Sequence, residues 1–278
     1  MKNIILAVVV CAVTGLNAGA YFDGGVTATS GPGGYKGTKL DLVIGTGNLA
    51  FEPSLTSYVS DAVDKTFTYA LRGAWEAEKY TVAGFAGTTP EVNDYSNKFF
   101  GGDITYSLTP GRGGRSRLAG PGSRGGAHGG QGITRIDVGA GIKQTMHTKT
   151  GVGDTNQTEG SLFAGAKIFM VNLSGSFTAY AYGAEKTVPQ GFVTGLNFSL
   201  EQKPKSSVNV KLDLPGQPLV TPFISYTGIK IKGGGDTSAY LLGAYIDLSM
   251  VVANATYQIY DSGSARNSFI TLGAGVKF

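Results

Sequence analysis

Cysteine is all but missing from this chain: Cys11 is the only one among 278 residues. No intrachain disulfide can form, and no Cys/His cluster with zinc spacing can be built. Charged side chains make up only 15% of the sequence, for a formal net charge of +4, and there are two histidines. Beyond the N-terminus no apolar run approaches the ~18 residues of a membrane-spanning helix. A bundle of such helices is therefore excluded, and the mean hydropathy of +0.02 agrees. The same middling value is compatible with a wall in which only every second residue meets lipid. What is abundant is glycine, 44 residues, without the G-X-Y period of collagen and amid too many apolar residues for disorder.

The first twenty residues form a unit of their own. Lys2 supplies a positive start, Ile4 to Val13 an apolar run, and Ala18-Gly19-Ala20 the small-x-small pattern of a cleavage site. The run is short of the about 20 residues that span a bilayer, so 1–20 reads as a secretory signal rather than an anchor. Cys11 lacks the residues expected before a lipidation site.

From Thr38 onward apolar residues alternate with polar or small ones. Leu40, Leu42 and Ile44 share a face, and Leu49, Phe51, Pro53, Leu55 and Val59 continue it. Phe67, Tyr69, Leu71, Gly73 and Trp75 oppose Thr66, Thr68, Arg72 and Glu76. Phe100, Ile104, Tyr106 and Leu108 alternate with Asp103, Thr105 and Ser107, and Ile136, Val138, Ala140 and Ile142 with Arg135, Asp137 and Lys143. The segments 173–181, 192–200, 208–214, 240–248 and 251–259 behave alike, cut by Gly, Asn, Asp and Pro. Period two bounded by turn residues predicts strands. Alternation also fits a soluble periplasmic sandwich, whose apolar face would be its core. Here the other face is rich in small residues and carries Asp41, Arg72, Asp103, Arg135, Asp137, Lys143 and Lys211, as a wet lumen tolerates. Tyr58, Trp75, Tyr80, Tyr106, Tyr226 and Tyr260 fall near strand ends, as interfacial girdles do.

The last segment closes on Phe278, with Val276, Ala274, Leu272 and Ile270 at every second position before it. This resembles the C-terminal strand of bacterial outer-membrane β-barrel proteins, in which such a strand marks the chain for the barrel-assembly machinery. The resemblance, which covers the leader, the strands and this closing segment, implies a closed antiparallel transmembrane β-barrel in the bacterial outer membrane. We expect about 12 to 14 strands, with 14 favoured because bacterial barrels use even numbers. Residues 21–37 read as a Gly-rich leader or first strand, and 38–278 as the barrel.

The segment 109–132 breaks the alternation. It holds Arg112, Arg115, Arg117 and Arg124, with His128 and no acidic residue. It imitates an RGG-type nucleic-acid segment, but an exported chain meets little RNA; a solvated loop, or one that enters the lumen or touches lipopolysaccharide phosphates, suits it better. Gly45-Thr46-Gly47 after a strand imitates a dinucleotide fingerprint, yet Phe51-Glu52-Pro53 follows where a helix is required, so a hairpin is expected. For a rim hydrolase the chain offers only His128 and His147, the latter with Asp154 in the same loop, and neither sits in a catalytic motif. No cofactor or metal is expected. The functional expectation is a porin-like passive channel for small hydrophilic solutes, with a plugged structural or surface-contact barrel as the alternative.

Overall fold

The computed structural model describes residues 21–109, 134–151, 153–183, 192–193, 196–197, 203–214 and 219–277. They contain sixteen strands and no helix. The first group is β1 (Tyr21–Ser30), β2 (Lys36–Thr46), β3 (Leu49–Ser60), β4 (Val63–Glu76), β5 (Tyr80–Val92) and β6 (Tyr95–Ser107). Then come β7 (Thr134–Lys149), β8 (Gly153–Ile168), β9 (Val171–Tyr182) and the two-residue β10 (Phe192–Val193) and β11 (Leu196–Asn197). The chain finishes with β12 (Pro204–Asp213), β13 (Val220–Ile231), β14 (Thr237–Leu248), β15 (Val251–Asp261) and β16 (Arg266–Lys277).

Fourteen of these strands form one closed antiparallel barrel, each paired with its sequence neighbour except where β9 meets β12. The ring is sealed by β1 against β16, from Asp23 opposite Lys277 to Ser30 opposite Ile270. Closure is obligatory in lipid, where each unpaired edge amide or carbonyl costs several kcal/mol. Residues 21–30 are thus a wall strand rather than a leader. The expected strand over 192–200 is not in the wall: β10 and β11 pair only with each other, while β12 pairs directly with β9. Alternation there marks a pairing-competent sequence, but the neighbouring edges are already taken.

We call the end where β1 begins and β16 finishes the base, and the opposite end the crown. Gly45-Thr46-Gly47 is part of a hairpin at the base: Thr46 pairs with Leu49, and Gly47 takes φ +58°. Asn93 and Asp94, at φ 50° and 62°, make the corresponding tight turn at the crown, a conformation that suits their short polar side chains.

Alternation sorts the side chains. Leu71, Phe100, Ile104, Ile142, Leu162, Leu242, Ile270 and Leu272 lie on the exposed outer face. Trp75, Tyr80 and Tyr106 sit on that face near the base and Tyr240 near the crown, while Tyr69, Tyr226 and Tyr257 sit on it about mid-strand. Amphipathic rings favour the two membrane–water boundaries. Tyr58 and Tyr260 are not part of these girdles. Tyr260 is buried inside with Tyr35, Ile229, Ile231, Ala239 and Phe269, and Tyr58 packs against that cluster. Both occupy the parity of the inner face, one residue out of step with the lipid-facing row. A second inner apolar cluster, Val43, Ala50, Ala74 and Ala83 with Tyr21 against it, lies near the base.

Candidate functional site

The inner face is the surface on which the barrel can do chemistry, and its charges come in pairs. Arg72 on β4 donates from Nη1 to Glu52 on β3 at 2.6 Å. It also reaches past β5 to Asp103 on β6, with Nε and Nη2 at 3.2 and 2.9 Å. The strand between them presents Ala83 beneath this fork; Ala83 pairs with Asp103 and is buried. Arg135 donates to Asp137 two residues along β7 at 2.9 Å, and Asp137 is 1% exposed. Lys143 meets Glu159 on β8 at 2.8 Å. Lys211 meets Asp213 on its own strand at 2.6 Å and lies 4.6 Å from the Phe223 ring, which stacks on Tyr245. Asp41 pairs with Lys39 at 2.9 Å. Each of these partnerships joins residues on the same strand, adjacent strands or strands two apart, so each lies along the wall.

The seven charged residues singled out in the sequence therefore all lie on the inner face, and the structure joins two of them directly, Arg72 with Asp103, and two more, Arg135 with Asp137. Glu52, Glu159, Lys39 and Asp213 complete the other pairs and were not foreseen. Parity alone marks Glu52, which falls between the outward Phe51 and Pro53. Nothing short of the strand register marks Glu159 as the partner of Lys143.

Inner aromatics are laid flat by glycine. The Phe85 ring covers Gly101 on the next strand, Phe99 covers Gly87, and Phe163 covers Gly139; a Cβ built at any of these glycines would collide with the ring above it. Glycine leaves room for a ring to fold onto the sheet instead of projecting inward. A Cβ at Gly139 would also meet the Ile104 backbone carbonyl of β6, so Gly139→Ala is expected to displace both the Phe163 ring and the β6–β7 ladder and to lower the midpoint of a urea titration.

His147 is spoken for. Its Nδ1 accepts from the Tyr95 hydroxyl at 2.9 Å and its Nε2–H donates to Gln157 Oε1 at 3.1 Å. Asn97 donates to the Tyr95 oxygen, and Gln157 donates to Glu159, so the chain of bonds ends at the Lys143 pair. Asp154, exposed on the opposite face of β8 from Gln157, does not orient this imidazole. The arrangement can hold a neutral histidine in one tautomer; it assembles no base and nucleophile. Among the described residues no group of three or more His, Cys, Asp or Glu is placed to hold a metal.

Arg112, Arg115, Arg117, Arg124 and His128 lie outside the described residues, as do Phe278 and the expected signal segment 1–20. β6 ends and β7 begins at the base, where Leu108 N–H donates to Ile136 C=O. In the closing strand Ile270, Leu272 and Val276 are exposed on the outer face, at the same parity as Ala274.

A closed antiparallel wall with an apolar outside, an aromatic girdle near the base and a charged inside defines the class of protein: a transmembrane β-barrel of the bacterial outer membrane. No protein-family model matches the chain, and no curated protein matches its sequence. Among solved structures it is similar to CdiB from Acinetobacter baumannii, at 8% identity and TM-score 0.50, over 94% of this chain and 60% of that one. It is also similar to OprB of Pseudomonas putida, at 9% identity and TM-score 0.50, over 93% of each chain. At these identities the likeness is one of fold.

Proposed function

We propose that the barrel is a porin-like passive channel for small hydrophilic solutes. Barrels of ~8 strands are filled by their own side chains and those of 16–18 leave an aqueous pore. At fourteen strands the disposition of the inner side chains decides. The observation that carries the reading is that the large inner groups described above lie along the wall: ion pairs run between near strands, and Phe85, Phe99 and Phe163 rest on glycines. A wall lined with both signs of charge suits small polar solutes, and the arginines of 109–132 would favour anions. We further propose that the closing strand, with Phe278, serves recognition by the assembly machinery. Outward lysines at the crown, Lys36, Lys65, Lys98 and Lys230, suit contact with lipopolysaccharide phosphates.

The inner apolar cluster at the crown favours a second reading, a plugged barrel, because it carries Tyr35 from the β1–β2 connection inside, edge-on to Phe269. Single-channel recording separates the two. The mature chain, refolded and inserted in a planar bilayer, is expected to give stable, reproducible open steps. Neutralising Arg112, Arg115, Arg117 and Arg124 together to Gln is expected to reduce anion preference. A chain that is folded and inserted yet electrically silent would overturn the channel and leave the plugged barrel.

A further inference from the structure

The base rim has two unlike halves. On one half the connections are polar. Gly47 and Asn48 join β2 to β3, and Ala77, Glu78 and Lys79 join β4 to β5. The Trp75, Tyr80 and Tyr106 girdle stands on the outer face at the neighbouring strand ends, with Trp75 and Tyr80 rings 5.3 Å apart. On the other half three successive connections along the rim present large apolar residues at their ends. Phe169 and Met170, the two-residue turn between β8 and β9, are 72% and 61% exposed. Met250, in the equivalent turn between β14 and β15, is 55% exposed. Between them, Leu214 and Leu219 flank the β12–β13 connection and are also exposed.

Two further observations concern the same half. The outer positions nearest the base there are Ile168, Val171, Leu214, Val220, Leu248 and Val251, without a tryptophan or tyrosine. The interfacial ring that marks the water boundary on the other half has no counterpart there among the described residues. Phe169 also holds φ 52°, a left-handed conformation that glycine, asparagine or aspartate takes with little strain and phenylalanine does not. Position for position a Gly or Asn would turn the hairpin more easily, so phenylalanine at the tip runs against local backbone preference. Phe169 and Met170 continue the lipid-facing surface through Ile168 and Val171 into the wall, and Met250 does so beside the exposed Ser249 through Leu248 and Val251.

We propose that the β8–β9 and β14–β15 turns, with Leu214 and Leu219 between them, are seated in the acyl chains of the leaflet at the base, so that on this half of the barrel the hydrocarbon reaches past the strand ends. On the half with the aromatic girdle it stops at Trp75, Tyr80 and Tyr106. The barrel then sits tilted, or the leaflet thickens locally beside β8–β15, and the occupant of the apolar rim is phospholipid hydrocarbon. The inference concerns the outer surface and holds whether or not the lumen conducts.

Depth-resolved fluorescence quenching tests this on the full-length protein. The single tryptophan is removed as Trp75→Phe, and Phe169→Trp or, as control on the polar half, Glu78→Trp is added. Both are reconstituted in phosphatidylcholine vesicles brominated along the acyl chain. Phe169→Trp is expected to lose most of its emission to the brominated chains, to emit toward the blue, and to resist aqueous iodide; Glu78→Trp is expected to do the reverse. Iodide quenching of Phe169→Trp with no effect of bromine would overturn the proposal, and so would protection from both quenchers, which means a protein cover. Should Phe169→Trp fail to fold, a spin label at Met250→Cys, in a Cys11→Ser background, decides the matter. Relaxation by dissolved oxygen over a water-soluble nickel chelate supports seating in lipid, and the opposite order overturns it.

Discussion

Arg72→Ala is expected to lower the free energy of unfolding by about 3–5 kcal/mol, because it removes the buried cation that two inner carboxylates share rather than a single favourable contact. Arg72 is 7% and Asp103 5% exposed, and Glu52 shares the same guanidinium. Removing the cation leaves Asp103 and Glu52 facing one another across β4 and β5, two negative groups with little water to solvate them. Lysine cannot replace the fork, since a point ammonium satisfies one carboxylate well and arginine binds one side-on and the other end-on. Arg72→Lys should therefore recover only part of the loss. A variant that removes the charges together, with Arg72→Met, Asp103→Leu and Glu52→Gln, should be closer to wild type than Arg72→Ala is. Trp75, three residues along the same strand, reports unfolding by fluorescence in a urea titration of vesicle-inserted protein. Equal stability of Arg72→Ala and wild type would mean that the trio is fully hydrated and contributes nothing.

The second large effect is a one-residue contrast. Leu162 lies on the outer face in the middle of β8, 63% exposed, opposite Ala140 and Phe177. Leu162→Arg places a guanidinium in hydrocarbon near the membrane midplane, at a cost of about 2–4 kcal/mol. Ser161, its neighbour, points inward and shares a hydroxyl hydrogen bond with Thr178 at 2.9 Å. Ser161→Arg sacrifices that bond, about 1 kcal/mol, and sets its charge where water and the opposite wall charges can receive it. The same titration measures both. If the two variants were equally destabilised, the assignment of faces along β8 would be wrong.

Much of this architecture is legible before any coordinates exist, because period-two alternation is a local property. Leu40, Leu42 and Ile44, or Leu71 and Trp75 against Arg72, declare their faces by spacing alone, and so does the closing run from Ile270 to Val276. Where the outward residues are small, the signal fades. In β5 the lipid-facing series after Val82 is Gly84, Ala86 and Thr88, and in β8 it includes Gly160, Ala164 and Ala166. In β13 the inward Phe223, Ile229 and Ile231 blur the alternation from the other side. Parity also judges Tyr58 and Tyr260 better than proximity to a strand end does, since both are one step out of phase with the outward row. Partners are a different matter. Arg72 and Asp103 stand 31 positions apart with a whole strand between them, and Lys143 finds Glu159 only through the β7–β8 register. Side-chain pairing in a barrel is fixed by hydrogen-bond register, which a single sequence does not display. The glycines show the same limit: their number is visible at once, but which aromatic each one admits depends on the neighbouring strand.

The seam between β1 and β16 has a kinetic meaning. Thr29 and Thr271 share a hydrogen bond across 242 positions, and no intermediate length of chain contains both sides of that join. Every other wall pair except β6 with β7 and β9 with β12 can form as a local hairpin, quickly and one after another, while the join waits for the last strand to be delivered. Until then two strands stand with bare edges, ready to add any extended segment, including the twin edge of a second copy. The ring is therefore most vulnerable when it is nearly complete, and protection of those two edges, more than the formation of the hairpins, should govern how much chain ends as membrane protein and how much as aggregate.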